Sequence, residues 1–159
     1  VESVSSFYTN RINSLEAEDT LVAILKLENG ALATFEATTA ARPNDLEASL
    51  TITGENGEVE VGGIALNKIY KWNFIKKRQS DSKVKKLYSK IVPNGYGLSH
   101  IEVLNDIFSN IKKRKNNIKI KSEDTISTVK LVHSIYASCE KNKPVKLSDN
   151  IVSSKLGYK

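Results

Sequence analysis

The tract DTLVAILKLENGALATFEATT, residues 19–39, restricts the fold of this chain more than any other. Leu21, Ala23, Leu25 and Leu27 alternate with Val22 and Ile24, the period-two pattern of a strand with apolar residues on both faces. Such a pattern fits a central strand covered on two sides. Asn29-Gly30 supplies the positive φ angles of a tight hairpin turn. The chain then returns antiparallel through ALATFEATTA, with Leu32, Thr34, Glu36 and Thr38 opposite in facing to Ala33, Phe35 and Ala37. The ribbon runs straight into Arg42-Pro43-Asn44. Its mixed face, with Thr34, Glu36, Thr38 and later Thr51, suits a subunit interface or a substrate wall better than bulk solvent.

Further strands extend the meander. VESVSSFYTNRI already alternates at the chain start, and an opening inside a strand without Met leads us to expect the C-terminal piece of a longer protein. LEASLTITG, EVEVGG and NKIYKWNF read as later strands, with GENG as a Gly-bounded turn between the first two. Residues 76–90, KKRQSDSKVKKLYSK, read as a solvated loop or exposed hairpin. Loop chemistry continues through IVPNGYGLSH. Two helices close the chain. Ser99 and Glu102 have the spacing of a capping box, and Leu98, Ile101, Leu104, Ile107, Phe108 and Ile111 recur at helical spacing behind it. The second helix opens on SEDT, acids at the positive end of the helix dipole. Ile126, Val129, Val132, Ile135, Tyr136 and Cys139 form its expected buried stripe, and Pro144 ends it ahead of a short strand, PVKL. The expected class is α+β: a single open, mainly antiparallel sheet with two closing helices packed on one face.

Composition limits what this fold can do. A chain of 159 residues, 40% hydrophobic and 26% charged, reads as one globular domain with a real core. No apolar run approaches a membrane span, and one cysteine, Cys139, suits a cytoplasmic protein without disulfides. Eleven acidic and three basic side chains fall in residues 1–62, against seven acidic and 21 basic ones in residues 63–159, so the formal net charge of +6 belongs to the second half. No glycine-rich phosphate loop, nucleophile elbow or Cys/His cluster of metal spacing occurs, so the residues assign no catalytic, cofactor-binding or metal site. Four features remain. Arg42, fixed by Pro43 beside Asn44, offers a planar cation for carboxylate or phosphate, or is a solvated loop arginine. Tyr96 and His100, in NGYGLSH, either border a site or serve as turn and helix start. His133 reads as a packed helix residue. Nine Lys or Arg between Lys68 and Lys90 and six between Lys112 and Lys121 make a basic surface, for which nucleic acid is the lesser reading because Tyr70, Trp72 and Phe74 sit within a strand.

Taken in order, these segments resemble a known family. EDTLVAILKLENGALATFEATT, LEASLTITGENGEVEV, SHIEVLNDIFSNI and TVKLVHSIYASCEKNKPVKL look like the paired central strands, next hairpin, closing helices and last strand of the C-terminal domain of the Gfo/Idh/MocA oxidoreductases, a domain of the glyceraldehyde-phosphate-dehydrogenase type. GYGLSH and SSKLG lean toward the branch that oxidises UDP-linked N-acetyl-amino-sugar uronates at the third carbon. The resemblance implies that residues 1–159 are a substrate-binding and oligomer-forming domain, inactive alone. A Rossmann domain with NAD or NADP, a Glu-Lys-Pro lysine and an Asp-x-x-x-His histidine would lie before Val1, and hydride would pass between nicotinamide and a sugar carbinol. It also implies that Arg42, Asn44, Tyr96 and His100 meet the sugar or nucleotide-sugar substrate, and that copies pair through the open sheet face. The alternative is a stand-alone binding or scaffold module with a basic surface open to nucleic acid.

Overall fold

The computed structural model describes residues 1–158, which form two compact units: residues 1–44 with 120–158, and residues 45–119. In the first unit, β1 (Ser3–Thr9), β2 (Thr20–Lys26) and β3 (Leu32–Thr38) are successive antiparallel strands. The two-residue β7 (Val145–Lys146) joins the free edge of β1, giving the order β3-β2-β1-β7. Helix α3 (Ser122–Lys141) lies on one face against β1 and β7. It ends at Asn142, in the left-handed region at φ 50°, two residues before Pro144.

Small residues let that helix approach the sheet closely. Val4, Leu21, Ala23, Ile135, Ala137 and Val145 form the buried core. Beside them a polar seam is fully paired. The Ser6 N–H donates to Ser138 Oγ at 3.1 Å, Ser6 Oγ donates to the Ile135 carbonyl at 2.6 Å, and Ser138 Oγ donates to the Lys143 carbonyl at 2.8 Å. Buried hydroxyls with partners cost little and fix the helix in register on the strand.

The second unit is built on β4 (Leu50–Gly54), β5 (Gly57–Gly62) and β6 (Lys68–Phe74), antiparallel in that order. A bulge at Glu60/Val61 shifts the register between β5 and β6. Helix α1 (Asp81–Tyr88) packs against β6, and α2 (Ser99–Lys112) follows.

The α+β class and the antiparallel pairing are as the sequence leads one to expect, and four details differ. The strands form two ladders rather than a single sheet, because residues 39–49 take no strand conformation and β3 does not pair with β4. Pro43 lies in that break and has no N–H to give a ladder. Residues 81–88 are helical rather than loop. Asp81 anchors the start by accepting the Arg78 N–H at 2.6 Å, Val84 turns inward, and Lys85 Nζ donates to the Tyr70 carbonyl of β6 at 2.6 Å. The Ser99–Glu102 capping box does not form: Leu98 already has helical dihedrals, so Ser99 lies one position too far in to cap. The second stripe is buried only in its C-terminal half. Ile135 is in the core, whereas Ile126, Val129 and Val132 are exposed, as is the α2 stripe with Ile101, Leu104, Phe108 and Ile111.

One sheet face of the first unit is likewise open. Phe7 stands opposite Val22, Ile24 opposite Thr34, and Leu32 opposite Lys26, all facing away from α3. Phe7 is 72% exposed and Ile24 57%, so β2 is covered on one side and not on two.

Candidate functional site

The β1–β2 connection is organised around one buried carboxylate. Asp19 Oδ2 accepts the backbone N–H groups of Arg11, Ile12 and Asn13 at 2.9, 2.7 and 3.1 Å, and Thr20 Oγ1 donates to its other oxygen at 3.0 Å. The Ile12 and Asn13 bonds lead in holding its carboxyl down to about 2. The loop so fixed presents Asn13, whose side-chain amide donates to the Thr39 carbonyl at 3.0 Å and Thr39 Oγ1 at 3.1 Å. Asn13 Oδ1 in turn accepts Arg42 Nη2 at 2.8 Å, and Arg42 Nη1 donates to the Ala41 carbonyl at 2.8 Å.

Arg42 is therefore held but not neutralised. It is exposed, precedes a cis peptide to Pro43, and makes no ion pair among the described residues. Asn44 is exposed two residues on. A guanidinium oriented by neutral acceptors keeps its charge and remaining N–H groups available for an anion. Asn13 and Asp19 escape a search for motifs, because their roles depend on the loop folding back upon itself. The one clue was the polar run RINSLEAEDT between two strands.

In the second unit, Tyr96 and His100 are brought together. The Tyr96 N–H donates to Asn94 Oδ1 at 3.0 Å, and Gly97 turns the chain at φ 65° into α2. His100 Nδ1 donates to the Tyr96 carbonyl at 3.2 Å, and the two rings meet edge-on at 6.3 Å. Both side chains are exposed. In the neutral ring the bond at Nδ1 places the proton there and leaves Nε2 as the acceptor.

A cavity of about 270 Å³ opens in the first unit between the strands and α3, walled by Leu21, Phe35, Ala37, Thr38, Val132 and Ile135. At its margin Tyr136 Oη donates to Glu18 Oε1 at 2.5 Å. Burial, then the Glu18 bond, pushes the Tyr136 phenol up to about 12. The C-terminal tail closes beside this pair. Gly157, at φ 88°, sits so near that a Cβ there would clash with Glu18 Oε2. Tyr8 Oη donates to the Tyr158 carbonyl at 3.3 Å, and Glu140 accepts the Ser154 and Lys155 N–H groups at 3.2 and 3.1 Å. The SSKLG segment is thus a clamped strap, a role its polar composition does not disclose. No group of three or more metal-ligating side chains occurs among the described residues.

The family model for the Gfo/Idh/MocA oxidoreductases, C-terminal α/β domain, matches residues 1–147. No curated protein sequence matches the chain. Among solved structures, the WlbA dehydrogenase of Chromobacterium violaceum, in complex with NADH and UDP-GlcNAcA, superposes with a TM-score of 0.78 at 28% identity over 91% of this chain and 39% of its own. The WlbA dehydrogenase of Bordetella pertussis, with the same two ligands, gives 0.80 at 28% identity over 91% of this chain and 41% of its own. A levoglucosan dehydrogenase in complex with NADH shares the fold, with a TM-score of 0.67 at 16% identity over 92% of this chain and 44% of its own. The chain spans about two fifths of the WlbA enzymes' length.

Proposed function

Because the chain belongs to the Gfo/Idh/MocA oxidoreductase family as its C-terminal α/β domain, we propose that it is the substrate-binding and oligomer-forming part of an NAD(P)-dependent dehydrogenase acting on a nucleotide-linked sugar. The observation that carries this reading is the likeness to two enzymes solved with NADH and UDP-GlcNAcA, at 28% identity across 91% of the chain. That ligand is a sugar acid on a diphosphate, and Arg42 is a held, unpaired guanidinium suited to either anion. Asn44 adds an amide for sugar hydroxyls. Tyr96 supplies a phenol, and His100 an imidazole nitrogen poised as acceptor. Copies would pair through the face bearing Phe7, Val22 and Ile24.

Every strand pair among the described residues is antiparallel, and the NAD or NADP of this reading belongs to the parent enzyme. No catalytic step is assigned to this chain.

The test uses the complete reading frame that contains these 159 residues, assayed for NAD or NADP reduction with UDP-GlcNAcA. Arg42→Ala should raise KM about tenfold or more with a smaller change in kcat, the cost of a lost charge-assisted contact to bound substrate. Absence of turnover with any nucleotide-linked uronate, or an unchanged KM in Arg42→Ala, would overturn the reading.

A further inference from the structure

The end of β6 combines two kinds of chemistry in one groove of about 450 Å³. Trp72 and Phe74, two residues apart on one face of the strand, line it with ring centroids 5.2 Å apart and planes at 67°. Lys76, Lys77 and Arg78, consecutive in the turn that follows, line it as well. None of the three has an ion-pair partner among the described residues. Asp81 is the single carboxylate in the lining, and it is committed. It accepts the Trp72 indole N–H at 3.2 Å and the Arg78 backbone N–H at 2.6 Å. That carboxylate therefore fixes the indole and the cationic turn with respect to each other. On the far side, Asn56 ties the β4–β5 turn to the groove through its carbonyl, which accepts the Ile75 N–H at 2.9 Å.

Two aromatic rings set edge-on beside three cations without ion-pair partners match a ligand that is aromatic at one end and polyanionic at the other. We propose that this groove binds a nucleoside polyphosphate, its base against the Trp72 and Phe74 rings and its phosphates on Lys76, Lys77 and Arg78. A single nucleotide fits the observations better than a strand. The next aromatic along β6, Tyr70, has its hydroxyl bonded to both Glu47 oxygens at 2.8 and 2.7 Å, so a carboxylate stands where a second nucleotide would stack. The site lies wholly within residues 45–119 and does not depend on the roles given to Arg42, Asn44, Tyr96 or His100.

Trp72 is the only tryptophan in the sequence, so its emission reports on this groove alone. Titration of the 159-residue chain with ADP should give a saturable change in that emission. Adenosine and inorganic pyrophosphate, each carrying half of the recognition, should bind about tenfold more weakly or worse. The combined substitutions Lys76→Ala, Lys77→Ala and Arg78→Ala should abolish the response while far-UV circular dichroism stays unchanged, since all three side chains are exposed. Four results would overturn the proposal: no saturable response to ADP, pyrophosphate binding as tightly as ADP, a response that survives the triple substitution, or an oligothymidylate binding more tightly than ADP. The last would assign the groove to single-stranded nucleic acid instead.

Discussion

At the scale of single residues, buried carboxylates and small hydroxyls carry more of the structure than their composition suggests. Asp19 is the clearest case. Three backbone donors and one hydroxyl converge on it, and the Ile12 and Asn13 N–H bonds are first among the causes that lower its carboxyl to about 2. A carboxyl depressed in the folded state adds stability above its unfolded value of about 3.9 and loses it as pH falls through about 2. Urea midpoints should therefore decline between about pH 4 and pH 2. Asp19→Asn should lower the midpoint at neutral pH and flatten that decline, because an amide keeps one acceptor but no charge to protonate. An unchanged pH profile in the variant would show that other carboxyls govern it. The sequence marks Asp19 only as an acid before a strand; its three partners become visible once residues 11–13 fold back over it.

Among the elements, close approach decides which predictions from periodicity hold. The antiparallel β2–β3 pairing and the C-terminal part of α3 follow their patterns, although of the Asn29-Gly30 pair only Gly30 takes a positive φ, at 87°, in a loop closed by the Leu27 N–H on the Ala31 carbonyl. Ala137 is fully buried where α3 crosses β1. Ala137→Leu adds volume to a contact with no space, and should cost about 1–3 kcal/mol in chemical denaturation. A loss much smaller than that would mean the helix can shift outward. Helix α1 was hidden for a related reason. Its lysines read as a solvated loop, but Asp81 accepts the Trp72 indole N–H and Lys85 donates to the Tyr70 carbonyl, which together hold the eight-residue helix against β6. The Ser99–Glu102 spacing failed in the other direction, since capping depends on the dihedrals of Leu98, which side-chain identity alone does not set.

For the whole molecule, the most telling property is how much apolar surface stays exposed on regular elements. Phe7, Val22, Ile24 and Leu32 share the open sheet face, well beyond the scattered exposed hydrophobes a monomer tolerates. On the proposed pairing, Ile24→Lys should shift the parent protein toward monomer in sedimentation velocity, with the secondary structure unchanged, because the side chain already faces solvent within its unit. Persistence of the oligomer in that variant would move the interface elsewhere. The family, the α+β class and the succession of strands along the chain were legible in the sequence, because alternation, turn residues and helix stops act over a few residues at a time. The tertiary structure alone decided that the strands form two ladders, that Asn13 orients Arg42, that the tail is strapped beside Glu18, and that Trp72 and Phe74 share a groove with three cations. Each of those rests on partners distant in sequence or on backbone geometry at a loop, and neither quantity is written into local pattern.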